Sequence, residues 1–146
     1  MKISISRVKE SVPLPKYQHE GEDAGLDLYA AQKNIIPSGE WKLIKTGIKI
    51  AIPRGYAGFV HPRSGLALDK GVTVLNGDGV IDPGYRGEIG VILINHGHNE
   101  FLISPGDRIA QLIIQKTVKV EWEEKDELTG TNRGAGGFGH TGIKNQ

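Results

Sequence analysis

Short apolar runs separated by turn residues follow one another along the whole chain. In the stretch 41–52, Ile48, Ile50 and Ile52 alternate with polar or small residues, which predicts one long strand. Further strands are predicted at 3–8, at 26–30, at 56–61 as the strand returning from a turn at 53–55, at 100–103 and at 108–122. The 21 glycines separate these runs and follow no collagen or linker period. The pattern is typical of an all-β sandwich or barrel.

The stretch Asn76–Asn95 combines a loop, a short strand, a turn and a longer strand. After the glycine-rich loop 76–79, a two-residue β-branched run predicts a strand that ends at Asp82. Gly84 is predicted to supply the positive φ of a Pro-Gly turn. The strand predicted at 88–95 is apolar at nearly every position. We therefore expect it to be buried on both faces, inside the domain or between subunits.

Two interpretations of Asp82 and Tyr85 remain open at the level of local pattern. Asp82 could cap its own turn while Tyr85 packs on the core, because Asp is a frequent turn residue. Alternatively, the hairpin forms a slot for a small flat ligand, lined by main-chain groups. In that case Tyr85 would stack on the ligand and Asp82 would act as a base.

A second carboxylate, Asp27, lies in a predicted strand in which Leu26, Leu28 and Ala30 share one face. Asp27 then shares the other face with Tyr29. Taken alone, this pattern is more typical of a solvated aspartate than of a functional one.

Residues 61–71 predict a short helix that begins at Ser64 as N-cap and ends near Gly71. Free N–H groups at the helix start, with Arg63 beside them, would suit a phosphate. A capped surface helix with an exposed arginine fits the same residues equally well.

The C-terminal part begins with an acidic connector at 121–127 and ends in a tail, 131–142, that contains five glycines. Such a composition does not hold a fixed structure unaided, and a disordered tail is the simplest interpretation. Arg133, Phe138 and Thr141 favour a different one, in which the tail closes over an anionic, aromatic ligand.

Composition narrows the functional classes. A length of 146 residues favours one domain. The net charge of +1 predicts no bulk attraction to nucleic acid or to an anionic membrane. The absence of cysteine excludes thiolate chemistry and fits a reducing cytoplasm. No apolar run has membrane-spanning length and the amino terminus does not resemble a signal peptide, so we expect a cytoplasmic protein.

Five stretches, taken together and in this order, resemble those of the homotrimeric dUTPases, the dUTP pyrophosphatases. They are Asp23–Ala30 (DAGLDLYA), His61–Ala67 (HPRSGLA), Asn76–Asn95, Pro105–Leu112 (PGDRIAQL) and Arg133–Gly142 (RGAGGFGHTG). Any one of these stretches alone would be weak evidence for the family. The resemblance implies an all-β, distorted jelly-roll (β-clip) fold with one short helix.

The resemblance also implies an assembly and a reaction. The assembly is a homotrimer with three shared active sites. Each site takes its first, second and fourth stretches from one chain, the third from a neighbour and the fifth from the remaining chain. The reaction is the Mg²⁺-dependent hydrolysis of dUTP to dUMP and pyrophosphate, which limits uracil in DNA and supplies dUMP for dTMP synthesis. The expected partners are dUTP and two further copies of the chain, without nucleic acid or membrane.

Residue roles follow from the same resemblance. Asp82 matches the general base that activates the water attacking the α-phosphate, and Asp27 matches a carboxylate that holds Mg²⁺ through water. Tyr85 matches the residue under the deoxyribose. The other implied substrate-binding positions are Asn76, Val80, Ile81 and Gly90 for uracil, Arg63, Ser64, Gly65 and Gln111 for the triphosphate, and Arg133, Phe138, Gly139 and Thr141 in the C-terminal arm.

The pattern departs from the family at His140, where a serine or another small residue is usual, and this puts one phosphate contact of the arm in doubt. Asp78 is expected to be a turn residue and not a second base. The predicted organisation is a β domain at 1–128 followed by a flexible, glycine-rich arm at 129–146 that closes over a neighbouring active site.

Two rival functions remain. A dCTP deaminase of the same fold would use a glutamate after an aromatic-bearing turn, and Glu88 stands at such a position. Alternatively, the trimer could hold a protein partner in a regulatory role, either alone or in addition to catalysis.

Overall fold

Within residues 1–137 the chain folds into short β-strands and one helix. A computed structural model describes residues 1–137. In chain order the elements are β1 Ser4–Arg7, β2 Leu26–Tyr29, β3 Asn34–Ile36, β4 Trp41–Lys45, β5 Ile48–Ala51, β6 Tyr56–His61, α1 Ser64–Lys70, β7 Val72–Val74, β8 Gly79–Ile81, β9 Gly90–Asn95, β10 Phe101–Ile103 and β11 Arg108–Lys116. The predicted all-β class with one short helix is confirmed.

All strand pairs between these elements are antiparallel. The largest sheet has four strands in the order β2-β11-β6-β8, and a three-stranded sheet has the order β4-β9-β7. Two strand pairs, β1-β5 and β10-β3, complete the fold. The sheets enclose one main apolar core, in which Leu28, Ile44, Leu93 and Ile109 are almost completely inaccessible to solvent. Neighbours in space are seldom neighbours in sequence, so the polar residues of one sheet come from distant stretches.

The prediction of one strand over 41–52 was wrong, because two strands occupy that stretch. The chain turns at Gly47, whose φ of 69° is left-handed and strained for other residues. Thr46 is buried there, and its hydroxyl donates to the carbonyl of Ile89 at 2.7 Å. β4 therefore pairs with β9, whereas β5 pairs with β1.

Strand pairing also differs from the sequence prediction at 56–61 and 108–122. β6 does not return beside β5 but lies between β8 and β11. β11 ends at Lys116 instead of continuing to Trp122. Its last pair is Lys116 with Tyr56, which is the first residue of β6. Beyond Lys116, β11 therefore has no residue of β6 to pair with.

The predicted helix is present, with one difference at its start. Arg63 occupies the N-cap position and makes no side-chain capping bond, while Ser64 is the first helical residue. The helix ends as predicted at Gly71, whose φ is 67° and whose N–H bonds back to the carbonyl of Ala67 at 3.1 Å.

The strand predicted at 88–95 begins at Gly90, and only one of its faces is buried within the chain. Val91 and Leu93 face the core, whereas Ile92 and Ile94 are partly exposed. On the neighbouring β4, Trp41 and Leu43 pair with Ile94 and Ile92 and are 60% and 54% exposed. These four residues form an outer apolar face, a name we keep for them below.

The turn before this strand is present, with the N–H of Tyr85 bonded to the carbonyl of Asp82 at 3.1 Å. Gly84 is not among the glycines with positive φ, so that part of the turn prediction was wrong. Among residues 1–137, no helix is long and apolar enough to cross a membrane.

The segment before β2 is fixed by a carboxylate. One oxygen of Asp23 accepts the main-chain N–H groups of Gln18 and His19 at 2.8 and 2.7 Å. The other lies 3.4 Å from Nδ1 of His19. The bond from the His19 main chain is the main cause that lowers the pKa of Asp23 below its ordinary value.

This arrangement predicts a local dependence on acid. A carboxyl group whose pKa is lowered by folding stabilises the folded state at pH values above its pKa in the unfolded chain. This stabilisation is lost as the pH falls through the pKa of the group in the folded protein. Amide exchange at Gln18 and His19 should therefore become faster as pH falls below the ordinary range of Asp, after correction for intrinsic exchange. The Asp23→Asn variant should show fast exchange throughout and no such transition. An equal transition in the variant would contradict the assignment.

Candidate active site

The hairpin around Asp82 forms a small open cavity of about 200 Å³. Its lining residues are Val80, Ile81, Asp82, Tyr85, Ile89 and Gly90. Five of these six are positions predicted for base, sugar or catalytic contacts, so the structure brings this part of the predicted site together. Asp82 is exposed at the edge of the cavity.

Tyr85 is held in place although it is 47% exposed. Its hydroxyl donates to the carbonyl of Glu88 at 3.0 Å, so the ring folds back over Gly87. A Cβ at Gly87 would collide with the Tyr85 hydroxyl, which explains why glycine stands there. Arg86 closes the same turn by donating to the carbonyls of Pro83 and Tyr85, both at 2.7 Å. The hairpin therefore presents a positioned ring.

Glu88, the residue that a deaminase would need, is engaged elsewhere. Its carboxylate accepts the main-chain N–H of Gly47 at 2.9 Å and lies 3.6 Å from the ammonium of Lys45. It does not line the hairpin cavity. Its observed contacts are structural, because they tie the hairpin to the turn between β4 and β5.

Asp27 is buried, with only 3% of its surface exposed, which corrects the expectation of a solvated strand face. Two guanidinium groups compensate its charge, Arg108 at 3.3 Å and Arg63 at 3.6 Å. Arg63 also donates to the carbonyl of Arg108 at 3.0 Å. The sequence analysis missed Arg108, since only the pairing of β11 with β2 brings it to Asp27.

Asp27 belongs to a polar row that crosses the four-stranded sheet. Gln111 on β11 pairs with Asp27 on one side and with His61 on the other. Nδ1 of His61 in turn lies 2.8 Å from a carboxylate oxygen of Asp78, just before β8. We call Asp27, Gln111, His61 and Asp78 the polar row. No local sequence pattern pointed to His61 or identified this contact of Asp78.

The other predicted phosphate-binding residues lie near the Asp27 end of this row. Ser64 and Gly65 are exposed in the first turn of α1, directly after Arg63.

Asn76, a predicted uracil-binding residue, is exposed in the loop before β8, with its amide nitrogen close to Gly79.

The hairpin cavity and Asp27 are far apart within one chain. Three strand spacings of about 4.8 Å separate β2 from β8. Asp78 precedes β8 and Asp82 follows it, four residues later. At about 3.3 Å per residue, this separates the two by about 13 Å along the strand direction. Together these steps place the Cα atoms of Asp27 and Asp82 about 19 Å apart. In agreement with this estimate, Asp27 does not line the hairpin cavity of its own chain.

In the C-terminal part, Arg133 is exposed and donates from Nε to the carbonyl of Gly136 at 2.8 Å. It is not bonded to the polar row or to the hairpin. The predicted contacts of Phe138, Gly139 and Thr141 lie outside the described residues.

Comparison with known proteins identifies related sequences and structures. A family model described as dUTPase matches residues 10–142. The deoxyuridine 5'-triphosphate nucleotidohydrolase of Crocosphaera subtropica is 52% identical over 143 residues, covering 98% of this chain and 100% of that protein. The solved dUTPase of Staphylococcus bacteriophage 80alpha with dUPNHPP has a TM-score of 0.89 and 25% identity, covering 97% of this chain and 99% of that chain. A dUTPase mutant of phage phi11, described with a structural Mg(II) ion, has a TM-score of 0.80 and 24% identity, covering 87% and 98% of the two chains.

The burial of Asp27 generates a stability prediction. Asp27→Asn removes the charge that compensates Arg63 and Arg108. Loss of one partner from a fully buried pair costs about 3–5 kcal/mol, and we expect about 2–3 kcal/mol here because both arginines are partly exposed. Urea unfolding measures the change. Asp69→Asn, at an exposed position of α1, is the matched control and should stay within about 0.5 kcal/mol of the unchanged protein. Equal small effects in both variants would contradict the structural importance of the Asp27 charge.

Proposed function

This chain belongs to the dUTPase family, and from that premise we propose how its residues divide the work of hydrolysing dUTP to dUMP and pyrophosphate. The enzyme is a dUTP diphosphatase with the jelly-roll-like fold of its structural relatives. Its reaction lowers the dUTP available for incorporation into DNA and yields dUMP for dTMP synthesis. The family match over residues 10–142 carries this conclusion, since it spans all five of the stretches on which the sequence analysis rests.

Asp82 acts as the general base. It is exposed beside the hairpin cavity, and its carboxylate takes part in none of the ion pairs found within residues 1–137. A free carboxylate can accept the proton of a water molecule as that water attacks the α-phosphorus, while pyrophosphate leaves. The proton is held on the Asp82 carboxyl group until it returns to solvent.

The hairpin cavity takes uracil and deoxyribose. Main-chain groups of Val80, Ile81 and Gly90, together with the Asn76 amide, read the base edge by hydrogen bonds. Tyr85 lies under the sugar and leaves no room for a 2′-hydroxyl. The bond from its hydroxyl to the Glu88 carbonyl supports this role, because a held ring excludes a larger sugar more strongly than a free one.

Arg63, Ser64, Gly65 and Gln111 bind the triphosphate. Phosphoryl transfer depends mainly on positioning and on neutralising charge, and guanidinium and main-chain N–H groups supply both. Arg108 adds a second guanidinium beside Arg63, and Asp27 fixes the two relative to each other.

Magnesium is the proposed metal, held by Asp27 through water. No group of three or more potential ligands was found among residues 1–137, which argues against an all-protein metal cage. Oδ1 of Asp27 lies 3.6 Å from Arg63 and has no hydrogen-bond partner, so it can accept a hydrogen bond from a water of a hydrated ion. Mg²⁺ retains several waters and uses few protein ligands, so these residues fit an indirect contact. When bound, the ion neutralises charge on the phosphate oxygens.

We propose that the active site is shared between subunits of a homotrimer. Ideal strand spacings put Asp27 and Asp82 of one chain about 19 Å apart, which is too far for both to act on one triphosphate. The hairpin of one chain must then serve the polar row of another. The outer apolar face supports such an assembly, because it is exposed in a single chain and reaches Gly90, which lines the hairpin cavity.

The C-terminal arm completes the site. We divide the chain into a β domain at 1–128 and an arm at 129–146 that covers the site of a neighbouring subunit. Arg133 meets the γ-phosphate, Phe138 stacks on uracil, and Gly139 and Thr141 contact the bound nucleotide. Covering the site excludes bulk water from the phosphates.

The Glu88 contacts argue against the deaminase alternative, because that carboxylate is already bonded to Gly47 and Lys45. Incubation of the protein with dUTP and with dCTP separates the two activities. We expect pyrophosphate from dUTP and no ammonia from dCTP.

The role of Asp82 predicts a selective loss of turnover. Asp82→Asn preserves shape but removes proton acceptance, so kcat should fall about 100- to 10,000-fold. Affinity for a non-hydrolysable dUTP analogue, measured by calorimetry, should be retained. Turnover close to that of the unchanged enzyme would place the base elsewhere.

The shared site predicts complementation between two defective chains. A chain that ends before Thr131 should fold and trimerise, since the core lies in residues before the arm. It should turn over dUTP slowly, because the phosphates are not covered. After subunit exchange with full-length Asp82→Asn chains, activity should reappear, because an arm and an intact Asp82 can come from different chains.

The matched control is the shortened chain that also carries Asp82→Asn. Its mixture with full-length Asp82→Asn chains contains no intact Asp82 and should stay inactive. Native mass spectrometry establishes whether mixed trimers form. Mixed trimers without recovered activity would show that Asp82 and the arm do not act together across subunits.

A further inference from the structure

Two buried polar atoms within residues 1–137 lack a hydrogen-bond partner, and both belong to the polar row. They are Oδ1 of Asp27 and Nε2 of His61. Gln111 stands between them, because it is the register partner of Asp27 on β2 and of His61 on β6. Buried polar atoms are rarely left unpaired, so each such atom calls for a physical explanation.

The contact with Asp78 determines which protons His61 carries. A carboxylate only accepts hydrogen bonds, so the 2.8 Å ion-pair distance from Asp78 favours a proton on Nδ1 of His61. In the neutral imidazole, Nε2 is then bare and is a hydrogen-bond acceptor. In that neutral tautomer, the unpaired Nε2 of His61 carries a lone pair that requires a donor.

Gln111 can supply that donor. Its carboxamide carries two N–H groups, and the Cα atoms of directly opposed residues on antiparallel strands lie about 4.5–5.5 Å apart. The Gln111 side chain packs against Gly25, where an added Cβ would lie 3.5 Å from Cδ and 3.6 Å from Oε1. The carbonyl oxygen is thus near Gly25, the residue before β2, which leaves the amide nitrogen as the group that can turn towards His61 on the other neighbouring strand.

We propose that His61, oriented by Asp78, is a positioning residue for the Gln111 carboxamide. When nucleotide binds, Nε2 of His61 accepts one N–H of Gln111, and the second N–H donates to a phosphate oxygen. The inference rests on the proposed contact between Gln111 and the triphosphate. It gives His61 and Asp78 a part in substrate binding although neither touches the nucleotide.

Two substitutions of His61 separate its two nitrogens. Asn places an amide near the position of Nδ1 and keeps a donor for Asp78 but removes Nε2. Gln reaches the position of Nε2 and can offer its carbonyl oxygen as acceptor. For a non-hydrolysable dUTP analogue, His61→Asn should weaken binding about 3- to 10-fold, the effect of losing one neutral hydrogen bond. His61→Gln should recover part of that loss, and a Gln variant as weak as the Asn variant would overturn the acceptor role.

A double-mutant cycle tests whether His61 acts through Gln111. If it does, His61→Asn should weaken binding no further once Gln111→Ala is present. Additive losses would overturn the inference while leaving the phosphate contact of Gln111 intact. If Gln111→Ala alone leaves affinity unchanged, the proposed triphosphate contact fails, and the inference falls with it.

Three controls distinguish a positioning role of His61 from a general loss of stability in its variants. His98→Asn makes the same substitution at an exposed loop position and should leave affinity unchanged. Urea unfolding of each variant shows whether lost affinity merely follows lost stability. Nitrogen-15 NMR of the histidine rings reads the tautomer directly. We expect the neutral His61 ring to be the Nδ1–H tautomer, and an Nε2–H tautomer would overturn the proposal.

Discussion

The alignment of four antiparallel strands, β2-β11-β6-β8, is the constraint on which the candidate site depends. Side chains alternate between the two faces of a strand, so a slip of one residue would send Gln111 to the opposite face. The observed register instead aligns Asp27, Gln111, His61 and Asp78 across the sheet. Two guanidinium groups fix the Asp27 end, and one imidazole–carboxylate pair fixes the Asp78 end. Both ends of the polar row are thus held by contacts within the chain.

The same register also separates the parts of the site. Asp78 and Asp82 lie beyond opposite ends of β8, so the polar row and the hairpin cavity meet that strand at different ends. In the proposed trimer these two regions of one copy are half-sites, and the outer apolar face adjoins the hairpin cavity at Gly90. Association of copies would complete the half-sites and cover the apolar face together, which links assembly with catalysis in the proposed trimer.

Positioning is the contribution that such a protein makes to phosphoryl chemistry. The Tyr85 ring is held by the Glu88 carbonyl, and Glu88 itself is tied to Gly47. These contacts fix the hairpin during folding, so less conformational freedom remains to be lost when substrate binds. Glu88 therefore helps to hold the Tyr85 ring from outside the cavity.

The sequence by itself determined the features that depend on neighbouring residues. Apolar runs and alternation predicted most of the strands, although not β3 and β7, and Gly71 marked the end of the helix. The order and spacing of five stretches identified the family, as the comparisons confirmed. The individual residue roles in the site remain predictions, although the structure groups most of the hairpin positions around one cavity.

Tertiary structure alone decided the break at Gly47, the end of β11 at Lys116 and the burial of Asp27. It also brought Arg108 to Asp27 and His61 to Asp78. Each of these features depends on which strand lies alongside and in which register. Pairing of that kind joins residues far apart in the chain, whereas apolar periodicity and turn residues report only on their immediate surroundings.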